Sequence, residues 1–325
     1  MPLEASLSAV PRMSSGLSTL QRLWRAQETR LLLAILIGGA ILATQSDAFL
    51  SLRNLRSVLL GFSFVAIATL GQLLVILTGR IDLSAGSVMG LAGMVSALAL
   101  ASGIDPTLAV PIGIAVGALA GLANGLFSVS FGINSFIVTL GMMQVARGIT
   151  IALTEGDTVS GFPDSFLTLG STLAGVPVPI WILLTLALAL GGALRYTGFG
   201  RELFAIGGNE TAARLAGVAV RKIIFVAFMV SGALAGLAGV LMTARLGAAL
   251  GNAATGYELT IIASVVIGGA SLAGGKGSVT GVLLGAVLIA LVNNALVLLT
   301  VPTYWQQAFI GAVIIGAALI DRIRR

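Results

Sequence analysis

Ten apolar stretches run through this chain, each near the roughly 20 residues that a helix needs to cross about 30 Å of hydrocarbon. They fall at 31–50, 57–78, 86–102, 108–129, 134–154, 178–194, 223–243, 257–273, 279–299 and 303–320. Lipid offers the backbone no hydrogen-bond partner, and the runs lack the alternation of a barrel, so each must be helical. The prediction is an all-α polytopic membrane protein with about ten transmembrane helices. Three stretches are weak: 86–102 and 178–194 are short, and 257–273 ends in a glycine-rich turn and reads as a candidate broken or re-entrant segment. Composition agrees. Of 325 residues 57% are hydrophobic and 9% charged, against about 25% charged in soluble domains. Disorder and a water-soluble globule are both excluded.

Charge placement sets the orientation. With the N-terminus inside and ten alternating spans, the inner side receives Arg12, Arg22, Arg25, Arg30, Arg80, Arg195, Arg201, Arg214, Arg221, Lys222, Lys276, Arg322, Arg324 and Arg325. That is fourteen of the 18 basic residues, so the positive-inside rule puts both termini in the cytoplasm. An even span count follows. Residues 1–30 read as a cytoplasmic tail leading into an uncleaved helix rather than a signal peptide. Residues 31–320 form a single transmembrane domain, and 321–325 a short cytoplasmic tail. The net charge of +6 thus belongs to membrane topology, and no nucleic-acid partner is expected.

With no cysteine and no histidine, thiolate metal sites, disulfides and the commonest general base are absent. No metal site and no catalytic residue is predicted. A membrane enzyme would need a nucleophile–base pair or a metal cluster. An ion-coupled secondary carrier, the alternative reading, would place titrating carboxylates or histidines mid-span, whereas the acids here mostly fall in loops or near span ends. Packing has its own signature. Gly113, Gly117, Gly121 and Gly125 recur every four residues, as do the pairs Gly232/Gly236 and Gly281/Gly285. Such spacing lets backbones approach closely, either within one subunit or across a dimer seam. An internal echo links Gly86-Ser87-Val88-Met89-Gly90 to Gly277-Ser278-Val279-Thr280-Gly281.

The one long inner connection, 195–222, is polar and basic. Asn209 is a good N-cap, Glu210 suits a first turn, and Gly217 suits a helix end. Gly207-Gly208 can make a sharp turn just before. A two-turn helix along the membrane surface follows, either a basic anchor on anionic headgroups or a docking element for a cytoplasmic partner.

Residues 200–217, Gly-Arg-Glu-Leu-Phe-Ala-Ile-Gly-Gly-Asn-Glu-Thr-Ala-Ala-Arg-Leu-Ala-Gly, resemble the coupling segment of permease subunits of ribose-type monosaccharide ABC importers. Thr78-Gly79-Arg80-Ile81-Asp82-Leu83-Ser84-Ala85-Gly86-Ser87 resembles another signature of that family, with Arg80 where glycine is usual. Phe136 to Gly141 through Gly148, and Gly256 to Leu259 through Gly277, resemble two more. The resemblance implies a homodimeric permease in a bacterial inner membrane, two cytoplasmic ATPase subunits that use ATP and Mg, and an extracytoplasmic sugar-binding protein. It implies that Arg201, Glu202, Gly207, Gly208, Asn209, Glu210, Ala213, Arg214 and Gly217 couple the chain to the ATPase. The chain carries no phosphate-cradling loop of its own. The nearest approach, Gly274-Gly275-Lys276-Gly277, has Ala270 in place of the first glycine and Gly277 in place of the hydroxyl. No cofactor is expected on this chain.

Polar groups inside the membrane are costly and face a pathway or another helix. Asn124, Gln144, Arg147, Asn293 and Asn294 are candidates for either role, and amides can both donate to and accept from sugar hydroxyls. Asp82 and Arg80 bracket an inner turn, as an ion pair or a helix cap. Glu258, Gln306 and Gln307 are further intramembrane polar groups. Arg53, Arg56 and Arg245 break the positive-inside pattern; they read as docking groups for an acidic patch of the binding protein or as side chains snorkelling to headgroups. Tyr304 and Trp305 suit a membrane boundary.

Overall fold

The computed structural model describes residues 27–302 and, beyond them, 305, 308–309, 311–312 and 315–316. Among the described residues the regular structure is helical apart from four two-residue strands. The helices, in order, are α1 (Gln27–Gln45), α2 (Leu52–Leu77), α3 (Ala85–Ala101), α4 (Pro106–Ser130), α5 (Ser135–Ala152), a four-residue α6 (Asp164–Leu167), α7 (Val178–Tyr196), α8 (Gly198–Gly208), α9 (Glu210–Leu215), α10 (Val220–Leu246), α11 (Tyr257–Ile267) and α12 (Val279–Leu298). Seven of these (α1, α2, α4, α5, α7, α10 and α12) are long and apolar enough to cross a membrane. The stretch 178–194, weak as sequence, lies within a full 19-residue helix. By contrast α3 has 17 residues and α11 only 11. At about 1.5 Å per residue, α11 is about 16 Å long, half the hydrocarbon thickness. Of the stretch 303–320 only the seven residues named above are described, and all are helical. Tyr304, Gln306, Gln307 and the arginines at 12, 22, 25, 322, 324 and 325 lie outside the described residues.

Local chemistry sets the helix starts. Ser51 caps α2 by accepting from Asn54 N. Asp105 accepts from Thr107 N ahead of Pro106 at the first position of α4. Asn134 caps α5, and Ser278 caps α12. These side chains satisfy amides that lack an intrahelical acceptor. The segment between α5 and α7 is folded. Strands β1 (Val159–Ser160) and β4 (Ala248–Ala249) pair antiparallel, and β2 (Thr172–Leu173) and β3 (Val176–Pro177) form a hairpin. Phe166, fully buried, anchors this cap against the C-terminal end of α10, in a small cluster with Val240 and Ala244.

The core sits on α2, α3 and α10. Leu70, Leu73, Leu74, Met89, Ile224 and Phe228 are fully buried there. The glycine ladder of α4 packs inside one chain, on α10. A Cβ on Gly117 would meet Gly236 Cα at 2.8 Å and also strike Gly232 O. One on Gly121 would strike Phe228 O, and one on Gly232 would strike Gly117 O. Gly285 and Gly281 repeat this against Gly268 and Ser264, joining α12 to α11. No hydrophobic effect separates helix from lipid, so this backbone approach supplies the dispersion contact that holds the bundle.

Gly121→Val and Gly232→Val are therefore expected to cost at least the roughly 1–3 kcal/mol typical of overpacking, read as a lower detergent-solubilised Tm. Gly148→Ala, where a Cβ meets nothing within 4 Å, is expected to leave Tm unchanged or raised. Equal Tm values for all three would contradict the seam.

Candidate functional site

Two helices fill the 195–222 connection, one more than the sequence indicates. Thr197 caps α8, accepting from Gly200 N. Leu203 and Ile206 are buried. The reading of Gly207-Gly208 as a turn is corrected: both are the last residues of α8, and the chain turns at Asn209, extended at φ −161 and ψ 103. Asn209 ends α8 and caps α9, its Oδ1 accepting from Ala212 N at 2.9 Å. Gly217 takes φ +84 just past α9, as a helix-ending glycine does. Glu210 stands in the first turn of α9, and Ala213 is buried. Arg201, Gly208, Asn209, Arg214 and Gly217 are exposed, Glu202 and Gly207 half-buried.

Gly207 is needed for close approach rather than for turning. A Cβ there would strike Leu77 O and Gly275 N. Gly275 N donates to Leu77 O at 3.0 Å, and a Cβ on Gly274 would meet Gly79 N at 2.7 Å and Gly207 Cα at 2.8 Å. Three backbones therefore cross here: the end of α2, the end of α8 and the turn before α12. The turns that precede the two echoed motifs are the ones in contact. Gly208, next along, has open space where a Cβ would go.

Arg80 pairs with Glu210 rather than Asp82. Its Nη2 lies 3.1 Å from Glu210 Oε2, while Arg214 Nη2 lies 2.9 Å from Glu210 Oε1. Asp82 caps locally: its Oδ1 accepts from Ser84 N at 2.8 Å and from Ser84 Oγ at 2.6 Å. The Arg80–Glu210 pair borders a cleft of about 620 Å³ between α9, the 78–80 turn and the α4–α5 connection.

At the other end of α2, 26 residues and about 39 Å away, Arg53, Arg56 and Arg245 line a single cleft of about 690 Å³ with Gly170, Ser171 and Thr172. The three arginines that break the positive-inside pattern are thus one cluster. None of them has a carboxylate partner among the described residues.

A third cleft, of about 530 Å³, opens between α2, α11 and α12. Asn293 and Asn294 line it. Asn294 is only 9% exposed and exchanges both amide hydrogen bonds with Asn54, at 2.7 and 3.1 Å. The other pathway candidates stand elsewhere. Asn124 is fully buried and donates to Ser84 Oγ at 2.9 Å. Gln144 is exposed on α5. Arg147 donates to Gly251 O at 3.2 Å and Ala253 O at 2.7 Å, holding the irregular chain before α11. Asn54, Ser57, Tyr257 and Thr260, which line the third cleft, were missed because Asn54 and Ser57 precede or begin the apolar run of α2. Gln72 was missed too: it sits fully buried five residues before the end of α2, with both amide atoms unpartnered among the described residues.

Comparison with known proteins follows this geometry. The ribose import permease protein RbsC of Escherichia coli (strain K12) is 41% identical over 313 residues, 94% of this chain and 97% of that protein. The D-allose transport system permease protein AlsC of the same strain is 39% identical, covering 92% of both chains. The L-arabinose ABC transporter permease protein AraH of Azospirillum brasilense is 33% identical over 91% of this chain and 87% of its own length. The family profile described as "Branched-chain amino acid transport system / permease component" matches residues 54–318. The chain accordingly belongs to that family of transport-system permease components.

Proposed function

We propose that this chain is the membrane-spanning permease of an ATP-driven ABC importer for a ribose-like monosaccharide, in a bacterial cytoplasmic membrane. The observation that carries the reading is the seating of α8 and α9. The end of α8 is seated on a close crossing of three backbones, and α9, which starts one residue later at the Asn209 cap, is tied to the same crossing through the Arg80–Glu210 pair, so a push on this segment reaches the end of α2 and the turn before α12. The sugar class rests on the relatives, which are named for ribose, allose and arabinose. The family description names branched-chain amino acids, which favours a second reading. Against it, no charged side chain lines the third cleft, whereas an amino acid would bring two charges to be paired.

On this reading the chain makes ten crossings with both termini cytoplasmic, and α11 is a segment that enters without spanning alone. Two copies pair in the membrane. A cytoplasmic ATPase, using ATP and Mg, grips the segment from Arg201 to Gly217. An extracytoplasmic binding protein delivers the sugar to the Arg53, Arg56 and Arg245 cluster. The orientation is consistent with the two clefts standing at opposite ends of α2.

Gly208→Trp tests the grip, because the added ring meets open space within the chain. Expected is full membrane insertion with ATP-dependent uptake reduced more than tenfold and loss of ATPase co-purification. Glu210→Arg, which abolishes both ion pairs and clusters like charges, is expected to do the same. Uptake at the wild-type rate in Gly208→Trp would sink the coupling assignment.

Reversing Arg53 and Arg245 to glutamate is expected to raise the binding-protein concentration needed for half-maximal ATPase stimulation by an order of magnitude. The unstimulated rate stays the same, and the salt dependence flattens. An unaltered titration at low salt would remove the arginine cluster from the docking face.

A further inference from the structure

The cleft between α2, α11 and α12 has a lining that bundle packing alone does not call for. Its walls are mostly apolar, with Phe62, Val65 and Ile289 among them. Into it are set the side chains of Asn54, Ser57, Tyr257, Thr260, Asn293 and Asn294. Three of these polar groups are left over. Among the described residues the side chains of Ser57, Tyr257 and Asn293 make no hydrogen bond. Ser57 is exposed and Tyr257 and Asn293 are half-buried, so their polar groups are open to whatever fills the cleft rather than used up on a neighbouring helix. Their presence around a cavity of about 530 Å³, within the usual range for small-molecule sites, points to an occupant that completes them.

The chemistry of the occupant follows from what lines the cleft. It contains no Asp, Glu, Lys or Arg, so it offers nothing to neutralise an ion. Amides and hydroxyls each donate and accept, which matches a molecule whose hydroxyls do likewise. The apolar wall suits the C–H face of a ring. The Asn54–Asn294 pair adds a closure. The two amides exchange Nδ2–Oδ1 hydrogen bonds at 3.1 and 2.7 Å, and Asn54 Nδ2 also donates to Phe49 O at 2.9 Å. The pair ties α2 to α12 beside the cleft, and its two exchanged bonds are the same bonds a polyol could replace, so opening it leaves no amide stranded.

We propose that this cleft is a binding site for an uncharged polyol, whose hydroxyls are read by Asn293, Tyr257 and Ser57 and, when their mutual pair opens, by Asn54 and Asn294. The identification of that polyol as the transported monosaccharide rests on the importer reading above. The site lies away from the segment 201–217 and adjoins the arginine cluster, whose cleft shares Ser57 with it.

The test uses the complete importer, with its ATPase and cognate binding protein, in proteoliposomes supplied with ribose, allose or L-arabinose. Sugar uptake and ATP hydrolysis are measured together. Tyr257→Phe removes one hydroxyl and Asn293→Leu one amide, while Asn293→Gln keeps the amide. Tyr257→Phe and Asn293→Leu are expected to lower uptake about tenfold each, the scale of one lost hydrogen bond. Hydrolysis stimulated by loaded binding protein is retained, so fewer sugars move per ATP, and Asn293→Gln recovers part of the loss. Unchanged uptake per ATP in both variants overturns the site. Uptake and hydrolysis falling in proportion, with a lowered Tm, also overturns it and assigns these residues to packing. A wild type that moves none of the three sugars with ATP overturns both the importer reading and the ligand assigned here. A wild type that moves them without ATP overturns the importer reading alone, and the ratio of variant to wild-type uptake still decides the site.

Discussion

Backbone-to-backbone contact at glycine is the interaction on which this structure depends. A helix gains nothing by leaving lipid for the surface of another apolar helix, unless the two come closer than lipid chains can. Gly117, Gly121, Gly232 and Gly236 bring α4 and α10 to that distance, and Gly281, Gly285 and Gly268 do so for α12 and α11. The same device recurs at one end of the bundle, where Gly207, Gly274 and Gly79 let the end of α8, the turn before α12 and the end of α2 cross. What makes the bundle cohere is therefore also what seats α8, and with it α9.

This shared device has a mechanical consequence. A segment attached through long side chains would yield by rotamer changes under load. One attached through main-chain atoms in van der Waals contact, with a Gly275 N to Leu77 O hydrogen bond across it, has little compliance. The Arg80–Glu210 pair adds a second tie, on partly exposed side chains, and such pairs contribute little on their own. Position comes from the glycines, and the ion pair orients α9 upon them.

Much of this was legible in the sequence, for identifiable reasons. Apolar length marked α1, α2, α4, α5, α10 and α12, because span length is a one-dimensional property. The Asn209 cap, the first-turn Glu210 and the terminating Gly217 were readable because capping is local. What sequence could not give were contacts between distant segments. Gly207 looked like a turn residue, since its partners Leu77 and Gly275 lie far away along the chain. Arg80 was bracketed with its neighbour Asp82, whereas its partner is 130 residues away. The Asn54–Asn294 exchange joins residues 240 apart. The ordered cap between α5 and α7 was hidden because its strands are two residues long. The arginine cluster is intermediate: the topology rule singled out its members, and only the fold could bring them together.

The interior polar groups divide by what they satisfy. Asp82 is spent on the irregular turn before α3, accepting from Ser84. Arg147 is spent on the carbonyls of Gly251 and Ala253, and Glu258 accepts from Gly256 N at 3.2 Å, both in the chain that leads into α11. Non-helical backbone at membrane depth must find partners within the protein. These three charges lie where the two short helices begin, and none lines the cleft between α2, α11 and α12. Charge in this molecule thus stabilises the breaks in its helices and marks its two ends, while neutral amides and hydroxyls are left to face the cavity. A neutral lining suits an occupant that carries no charge, because such an occupant leaves no ion stranded in a low-dielectric interior.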